Sequence, residues 1–241
     1  VTEPTVNEDQ NPLTKPKFII AAVVVAIIIA LGVILALIPK GSGSPTADPS
    51  TTAANTPSAQ PSDTSAASIC GLPAGNQAKP ATTPTDTKWE LIGKIAAPTA
   101  PKQYGPGKTA ADGLRSCFAH SPTGALYAGA NLIILGSSGR PNILAQHLVV
   151  DGPQRDKMLA APETSAPTTA PFQLVGYKIL DYTGDRAVVE YGIKTANGSV
   201  GSVPVAMQWQ DGDWKWVLPA TGQPETRQLT DLSGFIDWAG V

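Results

Sequence analysis

Hydrophobic positions follow three regimes along this chain. From Phe18 to Ile38 they run on with no charged or strongly polar side chain between them. From Gly41 to Ser68 large apolar side chains disappear, and Ser, Thr, Ala, Pro and Gly make up almost all of the chain. Beyond that tract they recur at helix and strand spacings as far as residue 241. The pattern predicts a short polar tail (1–17), a transmembrane helix (18–38), a disordered stalk (39–68) and one folded domain (69–241).

The first run is long enough to cross a bilayer. At helical rise its length comes to about 30 Å, the thickness of a hydrocarbon core. Only a helix satisfies its own backbone there. A soluble-core helix would normally carry a polar side. A cleaved signal peptide would have a shorter apolar stretch and a small-residue cleavage site, and Leu35-Ala36-Leu37-Ile38-Pro39 offers none. Lys15 and Lys17 precede the run, while Lys40 alone follows it closely. This charge bias places the N-terminus in the cytoplasm and the domain outside. The stalk cannot bury enough apolar surface to offset the entropy of ordering, so it acts as a spacer. Stalks of this composition can also carry O-linked sugars.

In the domain, Trp89–Ala96 alternates weakly and reads as one strand, followed by a Gly/Pro-rich loop from Pro98 to Gly113. Thr123–Leu135 reads as a helix whose small face (Gly124, Ala125, Ala128, Gly129) permits close approach to a sheet. Pro141 opens a second helix through Val150, and Pro153 a third, short one through Ala161. Ala161–Pro171 is a loop. Four strands then follow, Phe172–Asp181, Arg186–Thr195, Ser199–Trp209 and Asp213–Leu218, separated by Thr183-Gly184-Asp185, Asn197-Gly198 and Asp211-Gly212. Connections this short impose an antiparallel meander.

The apolar faces also select the register. A two-residue turn at Asp211-Gly212 sets Trp209 against Trp214, Met207 against Trp216 and Val205 against Leu218, all on the core face. The same turn at Asn197-Gly198 would set Glu190 against Val205. A three-residue loop, Ala196-Asn197-Gly198, instead pairs Tyr191 with Val203, Val189 with Val205 and Ala187 with Met207. The fold expected is α+β: two or three N-terminal helices packed on one face of a curved four-stranded antiparallel meander. That layout matches the nuclear-transport-factor-2-like, or cystatin-like, cone.

Net charge is −2 and no basic cluster stands outside the apolar run, which argues against nucleic acid as a partner. The only cysteines, Cys70 and Cys117, both lie beyond the apolar run. An even count in an oxidising compartment predicts one disulfide, worth very roughly 4 kcal/mol by the loop-entropy argument. Two buried thiols or a metal pair are the alternatives. With no paired histidines, two cysteines make a poor zinc site.

A family likeness rests on Cys70-Gly71-Leu72-Pro73, Ser116-Cys117-Phe118-Ala119-His120 with Pro122-Thr123-Gly124-Ala125, and Gly152-Pro153-Gln154-Arg155-Asp156. It continues through Tyr182-Thr183-Gly184-Asp185-Arg186-Ala187, Asp211-Gly212-Asp213-Trp214 and Leu232-Ser233-Gly234-Phe235. Together these resemble an actinobacterial family of anchored extracytoplasmic domains of unknown function, often found with integrative conjugative elements. The layout is also similar to the cone-fold inner-membrane assembly subunits of type IV secretion and conjugation machines. Neither resemblance supplies an active-site residue.

Candidate chemistry is sparse. His120 stands three residues after Cys117, but a disulfide would consume the thiol. His147 sits at the amphipathic boundary of a helix. Asp181, Glu190 and Tyr191 are strand residues able to act as acid or base in a cone pocket, though Glu190 falls on the face expected to meet solvent. Trp209, Trp214 and Trp216 would be either core or a stacking platform. Arg155, Asp156 and Lys157 form a charged helix end in which Arg155–Asp156 could pair. Gly136-Ser137-Ser138-Gly139 lacks the spacing and lysine of a phosphate loop. The expectation is a non-enzymatic domain with no cofactor or metal, part of an envelope-spanning transfer or secretion assembly. Its partners would be the membrane, other envelope proteins and, compatibly, a second copy of itself. The competing expectation is a small-molecule- or lipid-binding cone, or a vestigial isomerase- or dehydratase-like enzyme, which would hold an apolar cavity with convergent polar groups.

Overall fold

The four strands of the meander form where the alternation predicts them, except that the fourth ends at Trp216, short of Leu218, so the expected Val205–Leu218 pair is not part of its ladder. In the computed structural model, which describes residues 67–162 and 171–240, they are β5 (Phe172–Tyr182), β6 (Arg186–Thr195), β7 (Val200–Gln210) and β8 (Asp213–Trp216). The expected tail, transmembrane helix and nearly all of the stalk lie outside the described residues. So does most of the loop after Ala161. Among the described residues no helix is long and apolar enough to cross a membrane.

The register follows the apolar faces. Tyr191 opposes Val203, Val189 opposes Val205 and Ala187 opposes Met207. Trp209 opposes Trp214, and Met207 opposes Trp216. Asp211 and Gly212 have φ of 55° and 78°, the left-handed pair of a type I′ turn. The β6–β7 connection is the three-residue loop: Gly198, at φ 87°, donates its N–H to the Thr195 carbonyl.

The sheet is wider than the four strands read from the sequence. With Ile236–Asp237 as β10, its order is β10-β5-β6-β7-β8. The added strand β10 (Ile236–Asp237) lies along β5. β9 (Arg227–Leu229) takes the end of β7 that the short β8 leaves open. Two- and three-residue strands are fixed by the neighbour they pair with and carry no alternation of their own.

A second correction concerns Trp89–Ala96, which is a hairpin and not a single strand. β1 (Lys88–Ile92) and β2 (Ile95–Thr99) pair across Gly93-Lys94, with Gly93 at φ 62°. The expected Gly/Pro-rich loop contains β3 (Lys108–Thr109), which pairs with β4 (Arg115–Ser116) just beyond it.

Three helices precede the meander: α1 (Pro122–Gly136), α2 (Pro141–Leu148) and α3 (Pro153–Ala160). Each starts on a proline, whose fixed φ suits the first turn. In α1, Ser121 caps the end by accepting from the Gly124 N–H at 3.0 Å. Nearly every α1 side chain is buried, because the sheet covers one side and β2 touches the other. The small-residue face does what its spacing predicts. A Cβ on Gly129 would sit 2.4 Å from the Tyr191 hydroxyl oxygen and 3.0 Å from Met207 Cε. On Gly124 it would meet the Ala119 carbonyl oxygen at 1.9 Å.

The C-terminal segment returns to the core through Trp238, which is 1 % exposed. Its ring packs against Trp89, Tyr127 and Tyr177 with centroids 5.2–5.6 Å apart. Thr87 completes this knot. Its hydroxyl donates to the Pro84 carbonyl, while its oxygen takes the Trp238 indole N–H at 3.1 Å and the Tyr127 O–H at 2.5 Å.

Candidate functional site

The polar chemistry of the domain gathers where residues 68–72, the segment before α1 and the start of β8 converge. Cys70 and Cys117 are bonded, with Cα atoms 5.8 Å apart, within the ordinary range for a disulfide. Ser68, which composition assigns to the stalk, is buried beneath this bond. Its hydroxyl accepts from the Leu72 N–H at 2.7 Å and lies 3.5 Å from Cys117 Sγ and 3.8 Å from Cys70 Sγ.

Cys117 has φ 71°, a left-handed conformation that costs a non-glycine residue roughly 1–2 kcal/mol. Asp213 holds it there. The carboxylate accepts the Cys117 N–H at 2.5 Å, the Phe118 N–H at 3.0 Å and its own neighbour Trp214 N–H at 2.9 Å. Asp213 is 6 % exposed. Burial pushes its carboxyl up to about 6, against the opposing pull of those three N–H donors and of Lys215. One side chain thus fixes the bend on which the disulfide is mounted. The sequence reading passed over Asp213 because it directly follows a turn, and its partners lie about a hundred residues earlier.

His120 and the tryptophans form the flank of this corner. The His120 ring stacks on Trp209, centroids 4.1 Å apart and 5° from parallel. Its Nε2 lies 3.2 Å from both the Gly184 carbonyl oxygen and Asp185 Oδ1. A carbonyl only accepts, so Nε2 carries a proton and donates. Trp214 is fully buried and donates its indole N–H to the Ala119 carbonyl at 2.9 Å. Trp216 is buried too, whereas Trp209 is half-buried with one face covered by His120. The three tryptophans act as core and as a wall for His120, not as an open stacking platform.

The other candidates do not converge. His147 and Asp181 are exposed. Glu190 is half-buried, contrary to the solvated position expected for it, because Ser202 across the strand donates to it at 2.7 Å. Tyr191 is fully buried and donates to the Leu126 carbonyl at 2.7 Å, and burial raises its phenol well above the usual value. Burial also pushes Tyr127, Tyr177 and Tyr182 up to about 12. Arg155 pairs with Asp151 one helical turn back and not with Asp156, since adjacent helical residues point away from each other.

Large aromatic side chains fill much of the described interior. Tyr127, Trp238, Tyr177 and Tyr191 are fully buried between α1 and the sheet, and Trp214 and Phe118 are fully buried at the disulfide corner. Two grooves stand at the surface. One, of about 470 Å³, lies beside the β6–β7 loop and is lined by residues such as Thr195, Asn197 and Gln228. The other, of about 330 Å³, is bounded by Asn76, residues 78–85, Tyr104 and Thr123. Neither contains an acid–base pair. Among the described residues no group of three or more His, Cys, Asp or Glu side chains is placed to hold a metal ion.

A family model with the description "Domain of unknown function (DUF8175)" matches residues 49–237. No curated protein and no solved structure matches the chain.

Proposed function

Given that the chain belongs to the DUF8175 family, we propose that it is a non-enzymatic, membrane-anchored extracytoplasmic module that works by protein–protein contact. The anchor is the apolar run 18–38, with the N-terminus in the cytoplasm and the domain outside. The helix-on-meander layout is taken as a cone, and the setting as a conjugative-transfer or secretion-type envelope assembly, after the likeness to anchored actinobacterial domains.

The observation that carries this reading is the filled interior. The space between α1 and the sheet, where a cone enzyme would hold substrate, is taken by aromatic side chains down to the Trp238 knot. The side chains able to move protons are either committed to backbone partners, as Asp213 and Tyr191 are, or isolated at the surface, as His147 and Asp181 are. Large exposed apolar side chains, Ile69, Leu91, Leu159 and Leu180, stand on separate elements of the domain.

The test is photo-crosslinking of the full chain in intact envelopes, with probes at Leu91, Leu180 and Ile69. Discrete protein adducts at one of these positions support contact as the function. A deletion strain fully complemented by residues 67–241 exported without the preceding segment would overturn the anchored reading and favour a ligand-binding or enzymatic one.

A further inference from the structure

The two sulfurs of the disulfide sit in unlike surroundings. Cys70 is exposed, whereas Cys117 is 0 % exposed. The residue packed over both sulfurs is Gly107, itself exposed. A Cβ there would lie 2.8 Å from Cys117 Sγ and 2.9 Å from Cys70 Sγ, so on that side the bond is covered by the backbone of an exposed glycine that has no room for a side chain. Beneath it lies Ser68. Because the Ser68 oxygen already accepts from Leu72, its own proton is free to point at sulfur, with Cys117 Sγ the nearer at 3.5 Å.

We propose that the Cys70–Cys117 bond is an exchange site for a protein dithiol, with Cys70 Sγ the atom attacked and Cys117 the sulfur that leaves. Exchange requires a thiolate in line with the bond and a leaving sulfur that can carry charge. The exposed cysteine offers the approach. The buried one, facing the Ser68 hydroxyl, offers a hydrogen-bonded place for the departing charge.

A thiolate of the incoming dithiol forms a bond to Cys70 Sγ. The Cys70–Cys117 bond breaks, and its electron pair stays on Cys117 Sγ, which then takes a proton. The second thiol of the reagent loses its proton and attacks the mixed disulfide. It leaves as part of an oxidised dithiol, and Cys70 is released as a thiol. Two electrons pass from the reagent to the protein.

Opening the bond does not dismantle its mounting. The Cys117 backbone stays held on both sides, by Asp213 at its N–H and by the Gly107 N–H at its carbonyl (2.9 Å). The buried thiol therefore remains in place for the bond to re-form. What changes is the entry of the chain: residue 70 is then tied to the body only through noncovalent contacts such as Ile69 N–H to the Gly212 carbonyl, 2.7 Å.

The experiment treats the full chain with limiting reduced glutathione, quenches with acid and locates the mixed disulfide by mass spectrometry. In parallel, dithiothreitol reduction under native conditions is timed against hydrogen exchange of the β5–β7 amides. The expected result is glutathione on Cys70 with Cys117 free, and reduction at least about tenfold faster than exchange of the slowest sheet amides. Ser68→Ala should slow reduction by about tenfold, the loss of one hydrogen bond to a charged atom. A purely structural role for Ser68 would have the opposite sign, since loosening the corner would speed reduction. Adducts on Cys117, reduction no faster than sheet opening, or a Ser68→Ala rate that is unchanged or higher would each overturn the proposal.

Discussion

Residues 67–121 and the meander of β5 to β8 hold their chains in place by different means. The meander is fixed by repetition: each strand satisfies its backbone against the next, and one apolar face is buried over most of its length, less so at Ile179, Ile193 and Trp209. The earlier segment has ladders only in the β1–β2 and β3–β4 pairs, and its stretch before β1 is held at points. Gln77 donates to the His120 carbonyl at 2.8 Å and accepts the Tyr182 O–H at 2.6 Å. Lys79 reaches the Leu180 carbonyl, Tyr177 donates to the Thr82 carbonyl, and Thr83 donates to the Asp237 carbonyl. These contacts run antiparallel from the end of β5 that β10 leaves open, at Tyr182 and Leu180, to Asp237 of β10 without forming a ladder, and Pro80 and Pro84 in that stretch could not donate to one. A segment fixed this way covers a sheet edge without adding a strand. It also depends on single side chains where the meander depends on a pattern.

That contrast makes the joint between the two regions the most sensitive place in the domain. Trp214 belongs to the meander yet donates to Ala119 in the other region. Trp214→Ala should cost about 3–5 kcal/mol, visible as a lower denaturant midpoint with both regions lost together. Loss confined to residues 67–121 would show that the regions are independent. Next in size is the covalent joint. Replacing both Cys70 and Cys117 by serine should cost about 2–4 kcal/mol while the near-ultraviolet signature of the meander tryptophans persists at room temperature.

Asp213 gives a third, pH-dependent way to probe the joint. Its carboxyl is raised from 3.8 to about 6 by burial, so the folded state holds a proton that the unfolded chain has released. The stability this group contributes is fully present below about 4 and lost as pH rises through about 6, up to roughly 3 kcal/mol in all. Melting followed from pH 7 down to pH 5 should show stability rising, and Asp213→Asn should flatten that slope. The smallest effect is expected within the point-fixed segment. Gln77→Ala removes the exposed hydrogen bonds to His120 and Tyr182, along with longer local ones to Ala74 and Gly75, and should cost less than about 1 kcal/mol. Amides of residues 73–85 should exchange faster while those of β6 stay unchanged.

The same difference explains what could be read from the sequence. The β6–β7 register was legible because Val189, Tyr191, Val203 and Val205 leave only one loop length that buries them together. The starts of the second and third helices were legible from Pro141 and Pro153, while the first was read one residue late, at Thr123. The hairpin hidden in Trp89–Ala96 was not, because Gly93-Lys94 interrupts so short a run that it still passes for one weakly alternating strand. β9 and β10 were missed because their partners, not their own residues, make them strands. At the candidate site the cysteine pairing followed from counting and compartment. Asp213 and Ser68 did not: one looks like part of a turn and the other like the end of a spacer, and only chain crossings from far away give them roles.

The position of the disulfide also sets how the domain would bear mechanical load. The bond joins positions 47 residues apart, so everything between them lies inside a covalent loop. A pull arriving along the chain from before Ser68 passes from Cys70 straight to Cys117, and through Asp213 and Trp214 into the sheet. The point-fixed segment, which would peel most readily, is bypassed. With the bond open the same pull would strip that segment first and release about 160 Å of slack at full extension. The oxidised protein is therefore a short, stiff link and the reduced one a long, yielding link, with the change made at a single bond.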